Sequence, residues 1–284
     1  MKQTAVFKSN DYKERVWVQY NISLSNFNGN IRKEIVETRF GKTNVLSYGD
    51  ETAPKLVLLH GANSNATSWI KDFAAYASEY KVYAIDIIGE PGKSDENRLP
   101  YENDGYSDWL NEVFQQLELD KLYLAGLSQG GWIAAKFAIK YPEKVNRLAL
   151  LSPAGIVNTT GSFIFKAVLY SLLGNFGKKK INELIIGNQK VDHQVLDFMN
   201  LMQSAVNSRI DKEYIFSDEE LKKLTMPVFF IGGAHDVVRD SEKIRARLEG
   251  LLPDFEYFID PEKGHVLVGL ADAISSFLLK EKNK

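Results

Sequence analysis

Leu122-Tyr-Leu-Ala-Gly126-Leu-Ser128-Gln-Gly130-Gly131-Trp-Ile-Ala-Ala-Lys-Phe137 is a short apolar run that stops at a serine set between glycines, after which a helical pattern begins at once. Gly-x-Ser-x-Gly in that setting is a nucleophile elbow, a sharp strand-to-helix turn that lifts the serine hydroxyl out at the end of a sheet. The reason is steric. The serine backbone is strained, and the neighbours two places to either side, Gly126 and Gly130, must lack Cβ for the turn to close. Ile133, Ala134, Phe137 and Ala138 then recur at helical spacing, and the small residues Gly131, Ala134 and Ala135 let that helix lie close under the sheet. A bare Gly-x-Ser-x-Gly arises by chance in about one chain in ten of this length, so its weight depends on whether partners follow in the right order.

Around this stretch lies a chain of 284 residues, 44% apolar and 12% aromatic, enough for one large core or two modest ones. The net charge of −2, with both signs spread evenly, argues against nucleic acid and against an anionic membrane surface as partner. Residues 1–30 carry no long apolar run of the kind a signal peptide needs, and nowhere do eighteen apolar residues follow one another, so no membrane span is expected. Without cysteine there is no disulfide, thiol nucleophile or thiolate metal site. The expectation is a cytoplasmic globular protein.

Upstream, Val16, Trp17, Tyr20 and Leu24 predict a helical arm within residues 1–30. Residues 34–40 and 43–48 predict a hairpin turning at Gly41-Lys42. Lys55-Leu-Val-Leu-Leu-His60 is a buried-strand pattern. Asn65-Ala-Thr67 then offers a cap for a helix bearing Trp69, Ile70, Phe73 and Ala77. Residues 81–88 predict a second buried strand, and residues 106–119 an amphipathic helix. After the elbow and its helix comes a strand at 147–151. This alternation predicts an α/β fold: a mostly parallel sheet flanked by helices. The rhythm breaks over residues 153–224, where helical patterns at 163–173 and 191–206 replace strands. It resumes with a strand at 227–231, a helix at 242–251, a strand at 255–259 and a helix at 270–279. The expected organisation is therefore an arm (1–30), a core in two parts (31–152 and 225–284), and a helical cap (153–224) inserted before the last two strands.

A serine hydroxyl needs a base, and the base needs a group to orient it. Of the four histidines, His60 ends a strand and suits the shaping of a loop, and His193 suits a solvated helix start. His265 and Asp236 lie beyond the ends of the last two strands, where the chemistry of an open parallel sheet gathers. Ser128, Asp236 and His265 are thus the expected triad, in the chain order of an elbow enzyme. His235 is the minor alternative base, and Asp240 and Asp260 are weaker stand-ins for the acid. Two backbone amides should hold the oxyanion: that of Gln129 after the nucleophile, and one in His60-Gly61-Ala62-Asn63, Ala62 first and Asn63 second. Phe163, Phe198, Met199 and Met202 in the cap are candidates for an apolar substrate pocket, or else glue between cap and core. Gly89-Glu-Pro-Gly92-Lys93-Ser94 ends like a phosphate-binding loop, but Ile87 stands where its first glycine belongs and Pro91 removes an amide. Lys178-Lys-Lys180 suits a solvated face. No pattern suggests a metal or cofactor.

Together, His60-Gly61, Asp86-Ile-Ile-Gly89 through Gly92-Lys-Ser94, Gly126-Leu-Ser-Gln-Gly130, Gly233-Ala-His-Asp236 and Gly264-His265 resemble the landmarks of the α/β-hydrolase superfamily over about residues 31–284. Within it the chain is most similar to small bacterial carboxylesterases, in its arm and in Arg39-Phe-Gly-Lys-Thr43. The loop after Asp86 departs from the family's Gly-His-Gly-like turn, reading Gly-Glu-Pro-Gly. The family's epoxide hydrolases and dehalogenases attack with aspartate, and serine at 128 sets this chain apart from them. The resemblance implies a serine hydrolase cleaving a carboxylic ester, and the aromatic and Met-rich cap suggests a small-molecule substrate with an apolar acyl or alcohol group. The same triad would also serve C–C bond, thioester or lactone hydrolysis, or a slow small-molecule receptor.

Overall fold

The computed structural model describes residues 5–280. In chain order its elements are α1 (Asn10–Ser25), β1 (Arg32–Thr38), β2 (Gly41–Tyr48), β3 (Lys55–Leu59), a 3-10 helix (Ala66–Asp72) continued by α2 (Phe73–Tyr76), β4 (Lys81–Ile85) and α3 (Gly105–Gln116). Then follow β5 (Leu122–Leu127), α4 (Gln129–Lys140) and β6 (Val145–Leu151). Four helices come next, α5 (Gly161–Ser171), α6 (Gly174–Ile186), α7 (His193–Ala205) and α8 (Asp218–Leu221), before β7 (Val228–Gly233), α9 (Ser241–Glu249), β8 (Phe255–Asp260) and α10 (Ala271–Leu278).

The eight strands form one sheet in the order β1-β2-β4-β3-β5-β6-β7-β8. β2 runs antiparallel to both neighbours, and every pairing from β4 to β8 is parallel. Because successive strand side chains face opposite ways, a continuous apolar run feeds two cores at once. Val57 and Leu59 of β3 join the core under α3, α4 and α9. Leu56 and Leu58 join the one under α1, the 3-10 helix, α2 and α10. Parallel strands covered on both faces have no polar side, which is why β3, β4 and β7 read as unbroken apolar stretches.

Several local expectations shift. The hairpin turns at Arg39-Phe40, since Thr38 pairs with Gly41 and Gly41 opens β2. There Gly41 has φ of 126° and leaves no room for a Cβ against Asp95. Residues 66–72 wind as a 3-10 helix, with only four residues of true α-helix after it. Asn65 caps it as expected, accepting the Thr67 N–H at 3.1 Å. The strand expected over 81–88 ends at Ile85, because Asp86 leaves the sheet to become a hub. Its carboxylate accepts hydrogen bonds from Tyr20 Oη (3.0 Å), Asn44 Nδ2 (2.9 Å), Ala66 N (2.7 Å) and Lys93 N (2.9 Å).

The arm does more than pack on the core. Val16, Tyr20 and Leu24 are buried along one face of α1, with Tyr20 reaching Asp86. The segment before α1 is stitched to the end of α7: Lys8 N donates to Ala205 O (2.8 Å), Asn207 N donates to Val6 O (2.9 Å), and Phe7 bridges Val206. Val6, Phe7, Val16, Met202, Ala205 and Val206 form a small third core there.

Candidate active site

The elbow is built as its glycines require. Ser128 sits at φ 52°, ψ −109° between β5 and α4, a strained conformation for a residue with a side chain. A Cβ on Gly126 would come within 2.3 Å of Gly130 O, and one on Gly130 within 2.4 Å of both Leu59 O and His60 O. The second glycine is thus pressed against the end of β3 as well as closing the turn. A Cβ on Gly131 would come 3.1 Å from Pro153 Cβ, so its absence lets α4 lie close to the chain leaving β6.

Three side chains from three loops converge. His265 Nε2 lies 3.0 Å from Ser128 Oγ, and His265 Nδ1 lies 2.8 Å from Asp236 Oδ2. Asp236 is fully buried at its side chain, while His265 keeps 14% exposure. The other carboxylate oxygen, Oδ1, accepts Val238 N (2.8 Å) and Arg239 N (2.9 Å), which fixes the plane of the group. Burial alone would push this carboxyl up, but the neighbouring His265, its hydrogen bond and the two backbone amides outweigh it, and the group is held below the usual carboxylate range. A carboxylate kept ionised against His265 Nδ1 sets that nitrogen as donor and leaves Nε2 to accept from Ser128.

The loop carrying His265 is held by the helical insertion. Gly264 N donates to Ile186 O (3.0 Å) and Val266 N to Ile185 O (3.0 Å), so the histidine is bracketed by the last carbonyls of α6, groups a helix end otherwise leaves unpaired. Gly264 has no space for a side chain, since a Cβ would lie 2.6 Å from Ile185 O. Gln189 Nε2 also donates to Val266 O.

His60 is buried, with burial as the leading cause of a lowered pKa. Its Nε2 faces the Ile87 N–H at 3.0 Å and its Nδ1 faces Gly61 O at 2.8 Å. An N–H can only donate, so Nε2 accepts and the proton sits on Nδ1. That proton pulls the Gly61 carbonyl toward His60. In a trans peptide the next N–H points the opposite way, so His60 sets the direction of the Ala62 amide. The loop runs beside Ser128, a Cβ on Gly61 coming 3.6 Å from Ser128 Cβ. The Asn63 amide is already engaged, donating to Glu90 Oε2 at 2.8 Å, which removes the second candidate donor and leaves Ala62. Gln129 opens α4, where amides lack intrahelical partners.

The remaining candidates lie elsewhere. His235 Nε2 meets Asn188 Nδ2 at 3.0 Å, Asp240 caps α9 through Lys243 N, and Asp260 accepts Glu262 N. His193 opens α7 in solvent. Met202 is buried in the core shared with the arm, and Phe198 packs on the same cluster, so both serve as glue between insertion and arm. Phe163 and Met199 are half-buried. Sequence reading passed over Glu90, a carboxylate in the loop after β4 that is only 2% exposed. Burial pushes its carboxyl up, opposed by the Asn63 amide, Arg98, Gln129 and Arg209. Its one signal was the departure of Gly-Glu-Pro-Gly from the family's turn.

Comparison with known proteins agrees with this architecture. Residues 54–176 match the profile of the α/β hydrolase fold. The carboxylesterase nap of Bacillus subtilis (strain 168), itself uncharacterised, is 33% identical over 263 residues, covering 89% of this chain and 87% of that one. The crystal structure of carboxylesterase CesB (YbfK) from Bacillus subtilis matches with a TM-score of 0.83 at 28% identity, over 95% of this chain and 99% of that one. That of naproxen esterase (carboxylesterase NP), from the same species, matches with a TM-score of 0.80 at 31% identity, over 94% and 95%. Similar to these proteins over nearly their whole length, the chain belongs to the α/β-hydrolase family and is a carboxylesterase-like hydrolase.

Proposed function

We propose that the protein hydrolyses small apolar carboxylic esters through an acyl-enzyme on Ser128. The observation that carries this reading is the continuous chain Ser128 Oγ, His265 Nε2, His265 Nδ1 and Asp236 Oδ2, at 3.0 and 2.8 Å. Ser128 Oγ attacks the ester carbonyl as His265 Nε2 takes its proton, and Asp236 stabilises the imidazolium. The carbonyl oxygen becomes an oxyanion facing the Ala62 and Gln129 amides. Collapse breaks the ester C–O bond, and His265 returns the proton to the leaving alcohol. A water, deprotonated by the same nitrogen, then attacks the acyl carbonyl and releases the acid with Ser128 restored. Residues 153–224 act as the cap over this chemistry, between the two core parts at 31–152 and 225–284. An apolar acyl group is supported by the name of one relative, a naproxen esterase, and by half-buried Phe163 and Met199 on the cap.

The test is hydrolysis of p-nitrophenyl esters from acetate to octanoate by the wild type and Ser128→Ala. The reading requires turnover that the substitution abolishes, with the preferred chain length sizing the pocket. Wild-type turnover no faster than that of the variant refutes it and directs attention to lactone and C–C substrates.

A further inference from the structure

Glu90 has no part in the proton chain, yet it is a buried carboxylate hydrogen-bonded to one of the two chain segments assigned to the oxyanion. Its Oε2 accepts the Asn63 N–H at 2.8 Å, while the Gln129 carboxamide donates to Tyr101 Oη at 3.0 Å. Asn63 directly follows Ala62, and Gln129 supplies the other donor. These two segments come from different strands, β3 and β5, so the loop bearing Ala62 needs an anchor of its own. Glu90 supplies one, a residue beyond Ala62.

The tie is built on both sides. Asn63 is held at φ 53°, a left-handed conformation that asparagine tolerates better than most residues and that the Glu90 bond secures. Gly89, at φ 81°, would place a Cβ 2.7 Å from Arg98 Cα, so the chain entering Glu90 has one path. Beyond Glu90, Gly92 is pressed against the Asp86 carboxyl, where a Cβ would come within 2.4 Å of Cγ. Trp17 Nε1 of the arm donates to Gly92 O at 3.0 Å. A bare carboxylate so close to a developing oxyanion would oppose it. Here Arg98 and Arg209 act on Glu90 with the opposite sign. Arg209 is itself fixed, 3.7 Å over the Tyr101 ring and donating to Tyr106 Oη at 2.9 Å.

We propose that Glu90 is a positioning residue that, through the Asn63 amide, holds the neighbouring Ala62 amide in place for the oxyanion. The inference rests on the serine-esterase reading above. What the role needs is an acceptor oxygen at full reach rather than a charge. Glu90→Gln keeps that oxygen. Glu90→Asp keeps the charge but withdraws it by one C–C bond, about 1.5 Å, which takes a 2.8 Å hydrogen bond beyond bonding range.

Both variants are assayed with p-nitrophenyl butyrate beside the wild type and Ser128→Ala. Inhibition by an alkyl trifluoromethyl ketone, which becomes a tetrahedral oxyanion on a reactive serine, is measured in parallel with thermal unfolding. Glu90→Asp should lower kcat about 30-fold, part of the loss that removing one oxyanion donor causes, with KM within about 3-fold. Its inhibition constant for the ketone should rise by the same factor. Glu90→Gln should stay within about 3-fold of wild type on every readout. If Glu90→Asp does not fold, Glu90→Met, which removes the acceptor oxygen and keeps the side-chain reach, carries the same expectation. The proposal is overturned if Glu90→Asp keeps its kcat and ketone affinity, if Glu90→Gln loses as much, or if the loss falls on KM. An active Ser128→Ala sinks the serine-esterase reading itself, whereas an inactive Ser128→Ala beside two wild-type-like Glu90 variants sinks the Glu90 role alone.

Discussion

Replacing Asp236 with asparagine should cripple the protein through a tautomer, and the structure says which way the new side chain must turn. Asp236 Oδ1 accepts two backbone N–H groups, from Val238 and Arg239, at 2.8 and 2.9 Å. Asparagine has one oxygen, and two buried donors leave it no choice of orientation, because an NH2 group placed there would face N–H on both sides. The carboxamide NH2 is therefore presented to His265 Nδ1, now 2.8 Å from a donor. Nδ1 must accept, its proton moves to Nε2, and Nε2 can no longer take the proton of Ser128. The same exchange in serine proteases lowers kcat about 10⁴-fold, which corresponds to about 5.4 kcal/mol of lost transition-state stabilisation. We expect a similar fall here in kcat for p-nitrophenyl butyrate, with KM within about 3-fold. Thermal unfolding at neutral pH guards against simple misfolding. Stability contributes a second signature. The Asp236 carboxyl is held below its ordinary range, so it stabilises the fold above the unfolded-state pKa, and that contribution drains away as pH falls through the lower folded value. Asp236→Asn should lack this acid-side decline. Retention of more than a tenth of wild-type kcat would refute the argument that the two backbone donors dictate the tautomer.

Gly130→Ala forces a Cβ to within 2.4 Å of the Leu59 and His60 carbonyl oxygens at the end of β3. It should cost about 3 kcal/mol or more, read as a drop of several degrees in Tm together with lost esterase activity, and an unchanged Tm would contradict the packing described. His60 is held neutral by burial, its pKa lowered. The unfolded chain takes up a proton near pH 6.5 that the folded chain refuses, so stability should be full above that pH and fall below it. His60→Gln should flatten the slope of Tm between pH 7 and 5, and an equally steep slope would remove His60 as its source. Tyr20→Phe removes the hydroxyl that donates to Asp86 and accepts from Asn44. A cost of about 1–3 kcal/mol is expected in urea unfolding, and a value near zero would mean that the hub tolerates the gap.

Much of this was legible in the chain because local sterics wrote it there. Gly126, Ser128 and Gly130 can be read without a structure, since no other residues fit that turn, and unbroken apolar runs mark strands covered on both faces. Ser128, Asp236 and His265 could be singled out from the elbow, the strand ends and their order along the chain. What stayed hidden depends on long-range geometry. The 3-10 winding of residues 66–72 has the same apolar spacing as a helix over so short a length. Helix α6 was missed because Gly174, Gly177 and three lysines dilute its pattern, though Gly177 is there to let α6 approach Tyr170 O, which a Cβ would overlap. The apolar groups Phe198 and Met202 suggested a pocket, and no periodicity could reveal that the arm covers them. Glu90 looked like a loop residue because acidic side chains seldom lie buried.

The seam between Val6, Phe7 and residues 205–207 also imposes a schedule on the protein's birth. The arm leaves the ribosome well before its partners at the end of α7, which lie about 200 residues further along the chain. At 5–20 residues per second, the arm waits roughly 10–40 s for them. During most of that interval Tyr20 already has Asp86 to dock on, so α1 is anchored at one end while the other trails. Nascent chains whose residue 205 has not yet emerged should therefore carry a half-fastened arm, open to protease at Phe7 but sheltered at Tyr20, and emergence of residues 205–207 closes it.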